Sequence, residues 1–200
     1  NCWRIPKFIL AIRLKKQVVT DVMGLSQIAN IYWCVNMAPT VQILKSLFIR
    51  RDKIIYRGGG KIMKKILFIL LQCTWGIAQT LLGAIFFWKL RKYPHRFYRG
   101  CIDTQWDMRS GLSLGLFIFS PKDEIKDSEK IRVHEYGHCI QSMVLGPFYI
   151  LIGLISIPWG RMAYFEKLRR EKNLPYTACF VESWASKWGE LATGEEAVWD

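Results

Sequence analysis

Histidine is scarce in this chain, with three residues in 200. Acidic residues are few as well, 16 against 29 lysines and arginines. The six cysteines (Cys2, Cys34, Cys73, Cys101, Cys139 and Cys179) include no C-x-x-C pair and no zinc-ribbon spacing. A cysteine-held zinc module is therefore excluded and a disulfide framework is disfavoured, leaving free thiols in a reduced or membrane setting. The basic excess invites a nucleic-acid reading. It is concentrated in residues 1–62, which hold 11 Lys/Arg and 2 Asp, and no recognisable binding module accompanies it. Nucleic acid is accordingly not an expected partner. Charge is missing altogether from two long stretches, 66–88 and 139–159. With hydrophobic residues at 51% of the chain, this clustering points to a membrane.

Two of the three histidines fall in one pentapeptide, His134-Glu135-Tyr136-Gly137-His138. On a helix, positions i and i+4 lie on one face, so both imidazoles can point at one ion. Zinc suits such a pair because it takes imidazole nitrogens and keeps an open position when it is catalytic. Glu135 faces the same region and can act as general base toward the water that zinc activates. The pattern around the motif is helical over 128–146. Ile131, His134, His138 and Gln141 share a stripe, Asp127 and Ser128 are placed to cap the start, and Gly146-Pro147 ends or kinks it. Gln141, one turn past His138, is a weak candidate for a residue that supports the ligand, with packing as its other reading. His95, alone among basic residues, reads as a solvated loop histidine.

A third ligand is needed, and the candidate is Glu182 in Phe180-Val181-Glu182-Ser183-Trp184-Ala185-Ser186-Lys187-Trp188-Gly189. H-E-x-x-H followed by E-x-x-A on a second helix resembles the gluzincin branch of zinc metallopeptidases. In that branch the two histidines and the downstream glutamate hold zinc, and the glutamate inside the motif is the base. H-E-Y-G-H-C-I-Q-S and E-S-W-A-S-K-W-G are similar, over about residues 63–189, to small bacterial membrane proteins carrying H-E-Y-G-H-x-x-Q-S. The resemblance implies Zn2+ held by His134, His138 and Glu182, with Glu135 as the catalytic base, in a zincin-like pairing of an H-E-x-x-H helix with a downstream Glu helix. It names no substrate.

The rest of the chain reads as a mainly α membrane protein with a small β-hairpin. Residues 57–63, Arg-Gly-Gly-Gly-Lys-Ile-Met, are what a purine-rich ribosome-binding site gives when translated in frame. Residues 1–62 are therefore expected to be an upstream read-through, with the native start at Met63. The other reading is a basic amphipathic segment lying on a membrane. The uncharged run 66–88 is expected to be a transmembrane helix. At 1.5 Å per residue, its 23 residues reach the roughly 30 Å of hydrocarbon. A signal peptide is the rival, disfavoured by the length of the run and the lack of a small-x-small cleavage site. Gln72, Gly76, Gln79 and Gly83 recur at helical spacing, a stripe that belongs against another helix. Residues 101–119 are expected to form the hairpin, 101–106 pairing with 111–119, and 121–130 a charged loop. An apolar helix over 148–159 would double back at Gly146-Pro147 and return Arg161 and Glu182 to the side of the His pair. Basic residues 161–172 would then lie at the headgroups. A Glu-bearing helix is expected over 176–188, and the acidic tail after it carries no reading.

The function these readings favour is a membrane-associated zinc metallopeptidase, integral to a bacterial cytoplasmic membrane and acting on a peptide or protein substrate. The alternative is a non-catalytic membrane protein with a structural or degenerate metal site. A structural site would be closed by a fourth protein ligand, for example Cys139 or Cys179.

Overall fold

The computed structural model describes residues 59–199. They are mainly helical, with one small mixed sheet. Residues 1–58, and with them most of the segment expected to precede the native start, lie outside the described residues. Met63 itself falls inside the first helix.

The expected single span over 66–88 is corrected. It is two helices, α1 (Gly59–Thr74) and α2 (Ile77–Lys89), bent by 93° at Trp75-Gly76. α1 ends on a π-type bond, from the Gly76 N–H to Leu71 O at 2.9 Å. The Thr80 hydroxyl donates to the freed Gln72 carbonyl at 2.9 Å. A side chain at Gly76 would meet Gln72 Oε1 at 2.4 Å and would have to displace that amide. The polar stripe does face another helix, α3 (Ser128–Leu145), while Gly83 presses on Leu114 O and Phe117 of the sheet.

The expected hairpin is also corrected. The strands are β1 (His95–Tyr98), β2 (Cys101–Trp106), β3 (Leu112–Leu114) and β4 (Phe117–Pro121), in the order β1-β2-β4-β3. β2 runs parallel to β4, with Ile102 opposite Phe117, rather than antiparallel to it. Two tight hairpins flank that parallel pair. Arg99 and Gly100, both at positive φ, join β1 to β2 in the manner of a type I′ turn. Gly115 at φ 62° opens the loop between β3 and β4. His95 is the first residue of β1 and not a loop residue; its ring lies 4.7 Å from Phe87 and meets the Thr104 hydroxyl at 3.1 Å. Trp106, Phe117 and Phe119 form the sheet's apolar core against Phe87, Leu90 and Tyr93 of the α2 end.

The sheet is pinned to α3 by charge as well as packing. Asp103, fully buried on β2, accepts from Arg96 at 2.9 Å, from Ser120 Oγ at 2.7 Å, and pairs with Arg132 of α3 at 3.1 Å. Asp123 bridges the same two arginines. A buried carboxylate is costly unless paired and hydrogen-bonded, and here it is both.

α3 packs along α6 (Phe180–Thr193) with almost no space between the backbones. A Cβ on Gly137 would lie 1.8 Å from Ala185 O, and one on Gly189 2.2 Å from Val133 O. The helix expected over 176–188 therefore begins later and ends later. Tyr176–Ala178 is a 3-10 turn, Cys179 is extended, and the helix runs through Gly189 to Gly194, which closes it at φ 75°. Glycine at 189 is a close-approach residue rather than a helix stop.

α3 joins α4 (Tyr149–Arg161) through a 3-10 turn, Gly146–Phe148, and α5 (Ala163–Lys172) follows. Taken as one helical run, Ser128–Arg161 has 34 residues and is long and apolar enough to cross a membrane. It is not straight. Gly146 sits at φ 53°, ψ −128°, and Ile131 and His134 of α3 line the same cavity as Gly160 and Arg161 of α4. An unbroken helix would hold Ile131 and Gly160 about 40 Å apart, so the chain doubles back at Gly146.

Candidate metal centre

α3 and α6 bring His134, His138 and Glu182 together. All three are buried, and one ligand atom from each lies within 4.8 Å of the others. Glu182 Oε2 is 3.1 Å from His134 Nε2 and 3.3 Å from His138 Nε2. Ligands on a tetrahedral zinc with bonds near 2.0–2.1 Å lie about 3.3 Å from one another. The second carboxylate oxygen, Oε1, is buried with no hydrogen-bond partner.

The outer nitrogens of the two imidazoles are tied down, and their partners settle the tautomers. Ser186 Oγ donates its one proton to Val198 O at 2.6 Å. At His134 Nδ1, 2.8 Å away, the same oxygen can then only accept. Gln141 Nε2 donates to Val181 O at 3.0 Å, so Gln141 Oε1 faces His138 Nδ1, 2.8 Å away, and accepts there too. Both Nδ1 atoms therefore carry the ring protons, and in neutral rings both Nε2 atoms present bare lone pairs to a carboxylate. Three acceptors aimed at one point require a positive charge between them. At Glu182, burial works to raise the pKa. Positive charge at His138 outweighs it and holds the carboxyl below the usual range, so a cation at this point, whether a ring proton or a metal, favours the carboxylate.

Glu135 does not join the cluster but stands beside it. It is buried, and the backbone at Gly111 comes so close that a Cβ there would lie 2.3 Å from Glu135 Oε1. With His134 it lines an open cavity of about 500 Å³, walled by residues 108–112 before and in β3, by Ser156, Ile157, Gly160 and Arg161 of α4, and by Tyr176. β3 is the edge strand of the sheet, so its outer backbone groups have no partner strand among the described residues. Among the described residues no cysteine closes the cluster. Cys179 packs with Trp159 and Val181, and Cys139 is a buried free thiol outside the ligand group.

Three features of the site were not anticipated from the sequence. Ser186 lies one helical turn from Glu182, and that spacing was the available signal. Tyr176 lines the cavity with its ring 6.4 Å from His134, held by a bond from Trp159 Nε1 to its carbonyl at 2.7 Å. The acidic tail, dismissed above, is part of the support: Val198 O orients Ser186, and Trp199 bonds to Thr177 and Glu190 at 2.7 Å each.

Compared with family models, curated proteins and solved structures, the chain matches none. The site therefore stands on its own geometry.

Proposed function

We propose that this protein is a membrane-associated zinc metallopeptidase. The observation that carries the reading is the convergence of two bare imidazole nitrogens and one carboxylate oxygen, with each imidazole held from behind by a hydrogen-bonded residue. That donor set, two nitrogens and one oxygen with no further protein ligand, suits zinc with an open position. Zinc there would polarise a scissile carbonyl and acidify a water. His134, His138 and Glu182 are the residues to hold it. Glu135, buried at the cavity wall and outside the ligand group, is placed to take the proton from the attacking water and pass it to the leaving amine. β3, at the wall of the cavity, offers its free edge to an extended peptide. Ser186 and Gln141 keep the imidazoles in the ligating tautomer. The apolar faces of α1, α2 and α4 support an integral location in a membrane, and the resemblance to small bacterial membrane proteins suggests the bacterial cytoplasmic one.

The test uses the full chain purified in detergent. Metal analysis should find about one zinc per chain, as a single three-ligand site demands. His134→Ala and His138→Ala should abolish it. Glu135→Gln should keep the zinc and slow cleavage of a quenched fluorogenic peptide library by about 10²- to 10⁴-fold. Full activity in Glu135→Gln would overturn the assignment of the base, and absence of zinc in the parent chain would overturn the site.

A further inference from the structure

We infer that the two helical corners of this protein, α1–α2 and α3–α4, enter an anionic bilayer from one side and turn back inside it, so that no described segment crosses. The inference rests on the membrane part of the proposed function and is independent of the zinc chemistry.

The arms are too short to cross and are angled to return. Each arm of the bent pair, Ile62–Thr74 and Ile77–Lys89, is about 20 Å long at 1.5 Å per residue, against roughly 30 Å of hydrocarbon. Opened at 93° and set symmetrically, such a corner reaches about 14 Å below its ends, the thickness of one leaflet. α4 has 13 residues and the same reach.

The two corners are stacked on each other, so they share one depth. A Cβ on Gly146 would meet the Trp75 indole at 2.2 Å, and Gln79 Nε2 donates to Gly146 O at 2.9 Å. The polar groups at this shared apex face inward. Gln72 and Gln79 are 0% and 1% exposed in helices whose other faces are apolar. Gln72 donates to Cys139 O at 2.8 Å, and Ser142 links the two amides at 3.0 Å each. Broken backbone is tolerated at membrane depth only where protein groups satisfy it; Gln79 bonds the Gly146 carbonyl at the break after α3, and Gln72 bonds the Cys139 carbonyl inside the helix.

Outward, the same corners are bare hydrocarbon. Leu70, Leu81, Ile85, Phe148, Leu151 and Leu154 are all more than half exposed, and large apolar residues exposed together on neighbouring helices mark an interaction surface. Charge sits at the far ends of the arms. Lys64 and Lys65 lie in the first half of α1, Lys89 ends α2 with Arg91 and Lys92 just after it, and Arg161 ends α4 ahead of the basic helix α5. Trp88, 65% exposed beside Arg91, stands where interfacial tryptophans do. Basic residues at the outer ends of α1, α2 and α4, and none at the apex, fit one anionic leaflet; the start of α3, of mixed charge, packs on the sheet. The cavity, with Arg109 and Arg161 in its lining, then opens at headgroup level.

Cysteine reporters test this in the full chain. With Cys2 and Cys34 changed to serine, Lys65→Cys, Lys92→Cys and Lys172→Cys are labelled one at a time with a membrane-impermeant maleimide, in spheroplasts and in inverted membrane vesicles. The native Cys73, exposed near the corner, reports the apex. All three reporters should react from the same side, and Cys73 from neither until the membrane is dissolved in dodecyl sulfate. Lys65→Cys and Lys92→Cys reacting from opposite sides would show that α1–α2 crosses and would overturn the inference. Opposite sides for Lys92→Cys and Lys172→Cys would do the same for α3–α4. A Cys73 that reacts from water, or a chain that stays soluble without detergent, would show that these faces meet water, a second copy or another protein instead of lipid. Zinc content of the same preparations reads the metal site separately, so the two readings fail independently.

Discussion

α3 is one helix with two kinds of neighbour. Its first part, through His138, meets the sheet and α6, and three of its buried polar side chains have named partners there: Arg132 with Asp103, His134 with Ser186, His138 with Gln141. Its last part meets the corner of α1 and α2, where two glutamines bond to Cys139 O and Gly146 O and the outer surface is apolar. The first region is held by close backbone packing and directed hydrogen bonds, which place a side chain to a fraction of an ångström. The second is held by a few internal amides and depends on what lies outside it. A site needs the first kind of support, and attachment to a bilayer needs only the second.

The contrast can be broken at either end. The largest effect beyond loss of the ligands is expected at the α3–α6 crossing. Gly137→Ala puts a methyl 1.8 Å from Ala185 O, a backbone atom that cannot swing away. A loss of about 3 kcal/mol or more follows, at or above the usual range for overpacking, read as a fall in the thermal transition together with loss of zinc. Gly153→Ala on α4, where the nearest atom is the Ile157 Cδ1 at 4.0 Å, should change little by comparison.

Ser186→Ala leaves the crossing intact and frees His134 Nδ1. Zinc affinity should fall by about 10- to 100-fold, the range for loss of a residue that orients a ligand, with Ser186→Thr restoring part of it. An unchanged affinity in a chelator competition would mean that Ser186 only packs.

Gln79→Leu tests the other region. It removes the donor to Gly146 O and Ser142 and should cost about 1–3 kcal/mol, as for a buried polar group left unpaired. Zinc content should not move. Joint loss of stability and zinc would show that the two ends of α3 are not separable.

The smallest effect is expected at the sheet. Burial works to raise the Asp123 pKa, but its hydrogen bonds and charge pairing with Arg96 outweigh it, and the carboxyl is held below its ordinary value. Its side chain is 53% exposed, so Asp123→Asn should cost under about 1 kcal/mol at neutral pH. A depressed carboxylate pKa stabilises above the unfolded value near 3.9 and stops doing so as pH falls through the folded value. Parent and variant should therefore converge in acid melts.

How much of this was legible depends on range. His134, Glu135, His138 and the helix carrying them follow from a five-residue spacing. Glu182 was reachable because its E-x-x-A setting is local too. The 93° corner was not legible, since Trp75-Gly76 looks like any other pair in an apolar run, and only the carbonyl ends of α3 give Gln72 and Gln79 something to turn toward. The parallel pairing of β2 with β4 was hidden for a similar reason. Adjacent strands suggest a hairpin, whereas in the parallel arrangement Asp103 meets Arg132 of α3 and Trp106 meets Phe119, contacts between residues far apart in the chain or on separate strands.

By itself, then, the order of residues determined which side chains are chemically able to hold a metal, where the helices that carry them lie, and where charge is withheld. Local spacing along a helix is enough for those. Which tautomer each imidazole takes, that the tail supports the site through Val198 O, and that Gly137 and Gly189 let two backbones touch were decided only by the tertiary structure. Those are properties of atoms far apart in the chain, and no periodicity along the sequence records the meeting of one helix with another.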